Sequence, residues 1–87
     1  MYKIGFKPSF IKQAKRLEKG LFEKMIGKIE LLKNERNHSL LKVHKLHGKL
    51  ADCYSFSVDY GVRIIFEFET NKELTLLAIG DHSVYKG

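Results

Sequence analysis

The apolar residues change their spacing along the chain, and those changes divide it into elements. Tyr2, Ile4 and Phe6 alternate with polar or small residues, as a short strand does. Pro8 then suits the first turn of a helix, where a backbone N–H has no partner to lose. Phe10, Ile11, Ala14 and Leu17 keep a helical spacing through Glu18 and Lys19, and Gly20 is expected to stop that helix. A second stripe begins at once: Leu21, Phe22, Met25, Ile26, Ile29 and Leu32 share one helical face, with Lys24, Lys28 and Glu30 off it.

Residues 34–48 are polar and irregular, and beyond them the period becomes two. Residues 50–58 predict a strand with Asp52, Tyr54, Phe56 and Val58 on one face, and Asp59, Tyr60 and Gly61 predict a turn. Residues 62–69 predict the next strand, alternating Val62, Ile64, Phe66 and Phe68 with Arg63, Ile65, Glu67 and Glu69. After a turn at Thr70, Asn71 and Lys72, residues 74–79 predict the last strand. The expected fold is α+β in the order β-α-α-β-β-β, a single domain over residues 1–87. Its helical hairpin would pack on one face of a small antiparallel sheet, leaving the other face open for a site.

The chain has 87 residues, 44% of them hydrophobic and 30% charged, a globular composition with room for one modest core. No stretch approaches the ~20 apolar residues of a membrane span, and MYKIGFKPSF lacks a signal peptide's apolar run. A lone cysteine, Cys53, leaves no internal disulfide, so a cytoplasmic protein away from membranes is expected. Charge is unevenly spread: residues 1–50 hold thirteen Lys and Arg against four Glu, whereas residues 51–87 hold three against six Asp and Glu. A basic half points to a polyanionic partner, nucleic acid or acidic protein; a solvated lysine face is the alternative.

Candidate chemistry rests on few residues. Arg63 would point to the open face if Val62, Ile64 and Phe66 face the helices. Asp59 closes the preceding turn, His44 and His47 precede the meander, and His82 and Tyr85 follow the last strand. Imidazoles, a guanidinium, a carboxylate and a phenol together suit cleavage of an RNA phosphodiester. The 2′-hydroxyl must lose a proton, the leaving 5′-oxygen must gain one, and the phosphate needs positive charge. The plainer alternatives are solvated histidines, an Arg63 paired with Glu67 or Asp52, and a packing role for Tyr85. Zinc on His44 and His47 with Cys53 or His82 lacks a second tight pair of ligands, so neither metal nor cofactor is expected. Cys53 reads as a small buried apolar residue.

Nearly the whole chain resembles the RelE/ParE superfamily of bacterial type II toxins, most of all its YafQ-like ribosome-dependent endoribonucleases. The resemblance is carried by SFIKQAKRL, H-K-L-H-G, DCYSFSVDYGVRIIFEF and IGDHSVYKG. It implies an mRNA interferase in which His44 and Asp59 share base and orienting roles, Arg63 stabilises the phosphate and His82 is the general acid. It also implies RNA contacts from Lys12, Lys15, Lys19, Lys45, Lys49, Tyr54 and Tyr85, with Tyr54 standing where YafQ-like chains carry a histidine. The implied partners are a cognate antitoxin, the ribosome and mRNA. Two other readings stay open: a ParE-like toxin that binds a protein target such as DNA gyrase, and an inactive member that binds only its antitoxin.

Overall fold

In the computed structural model, which describes residues 1–86, the alternation around Phe66 becomes the middle strand of a five-stranded sheet. The strands are β1 (Lys3–Phe6), β2 (His44–Lys45), β3 (Tyr54–Ser57), β4 (Arg63–Thr70) and β5 (Glu73–Gly80), in the spatial order β1-β5-β4-β3-β2. β3, β4 and β5 form the expected antiparallel meander. The sheet as a whole is mixed rather than antiparallel, because β1 pairs parallel to β5, with Ile4 opposite Leu74. A parallel neighbour needs a long crossover, and the helices α1 (Pro8–Ala14) and α2 (Lys19–Leu32) begin it.

Both helices cover one face. Phe10 and Ala14 of α1 and Met25, Ile29 and Leu32 of α2 join Phe56, Ile64, Phe66, Leu74, Leu76 and Ile79 in the core. Phe66 is its centre, edge-on to Phe56 at 6.0 Å and to Phe68 at 5.4 Å between ring centroids. Among the described residues no helix is long and apolar enough to cross a membrane.

Three local expectations change. Gly20 does not end the first helix: α1 stops at Ala14, and Gly20 lies in the first turn of α2. Glu18 is the reason, since its extended backbone starts α2 and its Oε1 accepts the Leu21 N–H at 2.8 Å. A Cβ on Gly20 would come within 3.2 Å of that oxygen. Second, residues 34–48 are not wholly irregular. His38 caps the end of α2, its Nε2 donating to the Leu32 carbonyl at 2.8 Å, and His44 and Lys45 add the short strand β2. Third, the strand expected over residues 50–58 begins only at Tyr54, because residues 48–50 form a tight turn opened by Gly48 at φ +72°.

β1 covers the outer edge of β5 only as far as Leu76, where the Lys7 N–H donates to the Leu76 carbonyl. Past that point α1 takes over. Ser9 Oγ donates to the Leu77 carbonyl at 2.8 Å, and Gln13 Oε1 accepts the Ile79 N–H at 2.9 Å. Gln13→Ala leaves that N–H unpaired. A loss of about 1–3 kcal/mol is expected in denaturant titration, with an unchanged m-value.

Candidate active site

The face of the sheet away from the helices carries Ser57 and Arg63 in one row and His44, Ser55 and Ile65 in the next, by the register of β2, β3 and β4. This face is not bare. The turn over His82–Lys86 folds back onto β4 and β5, and Ser55 and Ile65 are buried. Gly80 permits the return, because a Cβ there would meet Val84 Cγ1 at 2.8 Å. Asp81 holds the start of the turn by accepting the Ser83 N–H at 2.9 Å, and hydrogen bonding from Ser83 keeps its carboxyl below the usual range.

Arg63 heads β4 and is half-buried. Its Nη2 lies 3.3 Å from His82 Nε2, and a guanidinium only donates, so Nε2 accepts and the imidazole proton sits on Nδ1. The guanidinium carbon lies 5.8 Å from the centre of the Tyr85 ring, which meets the His82 ring at 5.5 Å and a steep angle. Tyr85 in turn hydrogen-bonds through its hydroxyl to Ser55 Oγ at 2.9 Å. Arg63 Nε is buried without a partner among the described residues. Among the described residues the ion pair formed is Glu30 with Lys33, so neither Glu67 nor Asp52 neutralises Arg63. A cation held in place and not neutralised by a carboxylate among the described residues is suited to an anion.

The other expected residues are distributed as follows. His44 shares the open face. Its Nδ1 donates to the Lys42 carbonyl at 3.1 Å, which leaves Nε2 of the neutral ring as an exposed acceptor. It stands two strands from β4, about 10 Å at ordinary strand spacing. Asp59 does lie in the turn before Arg63, but its Oδ1 accepts the Gly61 and Val62 N–H groups, both at 3.0 Å, so it orders the turn that delivers Arg63. Tyr54 stands apart from the site: it faces the core, stacked on Phe66 at 5.8 Å and edge-on to Phe68 at 4.9 Å. The reason is parity, since Ser55 and Ser57 point to the site and Tyr54 and Phe56 point away. Lys12, Lys15 and Lys19 are exposed on the helical layer, across the sheet from Arg63; Lys45 and Lys49 are exposed beside His44 and on the turn before β3.

Ser55 was not expected in the site. A serine in a strand is unremarked until Tyr85, thirty residues on, covers it. Further along the open face burial raises the Cys53 thiol and the Glu67 carboxyl, the latter also by hydrogen bonding and charge from Glu69, so Cys53 is no ready thiolate.

On the helical side lies a separate groove of about 580 Å³ between β1, α1 and α2. Phe6 and Ile26, each 48% exposed, line it with Ile11 and Phe22, and its charged lining is Lys3, Lys15 and the ion-paired Lys33 and Glu30.

No family model and no curated protein matches this sequence. Solved structures do match. YafQ from Escherichia coli BL21(DE3) superposes with a TM-score of 0.81 at 20% identity, covering 100% of both chains. A YoeB/ParE toxin from Agrobacterium tumefaciens gives 0.77 at 19% identity, over 92% of this chain and 98% of that one. In the E. coli DinJ–YafQ toxin–antitoxin complex the match is 0.72 at 21%, over 99% and 98%. The α+β arrangement expected from the sequence is therefore that of the RelE-like toxins, end to end.

Proposed function

We propose that this chain is the toxin of a type II toxin–antitoxin module and cleaves mRNA on the ribosome by attack of the RNA's own 2′-hydroxyl. The observation that carries the reading is Arg63, a half-buried guanidinium with no carboxylate partner among the described residues and a histidine 3.3 Å from Nη2. A protein that only binds a target has no need of such a pair. The toxin folds that match this chain over nearly its full length support the same conclusion.

In this mechanism Arg63 binds the scissile phosphate through two donors and holds the charge that builds on its oxygens. His44, with Nε2 free, takes the 2′-hydroxyl proton, while Asp59 keeps the β3–β4 turn in shape. The 2′-oxygen bonds to phosphorus as the bond to the 5′-oxygen breaks. Once the phosphate occupies Arg63, His82 is released from it, binds a proton and donates it to the departing oxygen. The test is coupled translation with the mRNA 5′ ends mapped: new ends within the reading frame are expected, and full-length message beside blocked translation overturns the reading.

Lysines of the basic half contact ribosomal RNA phosphates in this reading. Reversing Lys12, Lys15 and Lys19 to Glu should weaken ribosome binding at least 10-fold and flatten its salt dependence, because each lost contact releases fewer counterions. Sedimentation at several salt concentrations measures it; an unchanged affinity removes these lysines from the interface.

The partner is an antitoxin, as DinJ is for YafQ in the complex named above. An amphipathic segment with acidic flanks matches the apolar groove and its lining lysines Lys3 and Lys15, which are unpaired among the described residues. Growth arrest by the chain alone, relieved by a co-expressed neighbouring reading frame, is expected. Harmless overproduction of the chain counts against it.

A further inference from the structure

We infer that Ser55 is a positioning residue for the Arg63–His82 pair and acts through Tyr85. The inference deepens the active-site reading above and rests on it for its consequence in catalysis, whereas its geometry stands independently.

Among the described residues Ser55 is the buried polar side chain, with 0% exposure, in a sheet otherwise filled by apolar groups. An alanine would fill much the same space with no hydroxyl to satisfy, and a buried hydroxyl needs a partner. The partner of Ser55 is Tyr85, thirty residues along the chain. Tyr85 belongs to the same short turn as His82, and its ring touches both members of the pair. One hydrogen bond therefore fixes the ring that supports the guanidinium and flanks the imidazole. With the ring anchored, Nη2 is directed at His82.

This assignment changes the role expected of Tyr85. Its hydroxyl is committed to Ser55, so its part is to hold the two reacting side chains rather than to contact RNA through that hydroxyl. The turn has other supports, namely the Asp81–Ser83 cap and the Val84 N–H donated to the Asp81 carbonyl. Losing the Ser55 hydroxyl should thus leave the turn folded while releasing the aromatic ring.

The experiment uses the full chain labelled for NMR, with Ser55→Ala, Tyr85→Phe and the double variant. The His82 imidazole and Arg63 Nε–H resonances should shift in the same direction in both single variants, with the double variant no further displaced. Single-turnover cleavage should fall roughly 10-fold in each while ribosome affinity stays constant, as expected for misplacement of reacting groups. Resonances unmoved by either substitution overturn the inference. If the wild-type chain cuts no RNA but the resonances move together, the positioning role stands and the proposed reaction falls. Should Ser55→Ala fail to fold, Tyr85→Phe alone, which removes the same hydrogen bond from its more exposed side, decides the matter.

Discussion

His82→Gln should slow the chemical step roughly 10²–10⁴-fold while leaving ribosome affinity nearly unchanged, the range ascribed to one general acid. The substitution isolates proton transfer. Glutamine Oε1 can accept from Arg63 Nη2 as His82 Nε2 does, so the guanidinium keeps its neighbour. An amide cannot bind and release a proton near neutral pH, and the 5′-oxygen must then leave as an alkoxide. In energy the loss is about 3–5 kcal/mol of transition-state stabilisation. Single-turnover cleavage on saturated ribosomes measures it, and full-rate cleavage by the variant removes His82 from the chemistry.

Arg63→Ala should cost on the order of 10²-fold or more, because the phosphate oxygens gain negative charge as the 2′-oxygen adds. Arg63→Lys separates charge from geometry. Lysine restores the charge as a single point but not the fork that grips two oxygens at once, so only part of the rate should return. Neither change should unfold the protein, since among the described residues Arg63 has no carboxylate partner to strand. Equal rates for wild type and Arg63→Ala would mean that the guanidinium meets no phosphate.

Much of the fold was legible because its signals are local. The alternation through Ile64, Phe66 and Phe68 marks a strand wherever it occurs, and Arg63 on the opposite parity follows from it. The stripe from Met25 to Leu32 marks a helix for the same reason. Two features needed information that spacing does not hold. β2 is two residues long and exists because β3 accepts it, so His44 has no periodicity to announce it. The direction of β1 depends on which edge of the meander remains free, and that edge belongs to β5, which runs parallel to it.

The site divides in the same way. Arg63 and His82 were candidates because a cation and an imidazole flank the last two strands, and the fold brings the two side chains within 3.3 Å. Tyr54 was a candidate because it stands where YafQ-like chains carry a histidine, whereas strand parity turns it toward the core against Phe66. Ser55 was missed because its role is defined by Tyr85, and no sequence pattern links positions thirty residues apart. Phe22 and Ile26 belonged to the α2 stripe on spacing alone, yet they face the groove rather than the core.

In the proposed reaction this chain cuts RNA with its side chains and the RNA's own 2′-hydroxyl. The most direct measurement is the chemistry of the cut ends, taken from mRNA recovered after translation with the wild-type protein. A 2′,3′-cyclic phosphate upstream and a 5′-hydroxyl downstream are predicted, with the downstream fragment open to 5′-phosphorylation by a kinase without prior phosphatase treatment. A 5′-phosphate at the cut would contradict the mechanism, because a 2′-hydroxyl attack cannot leave phosphate on that side.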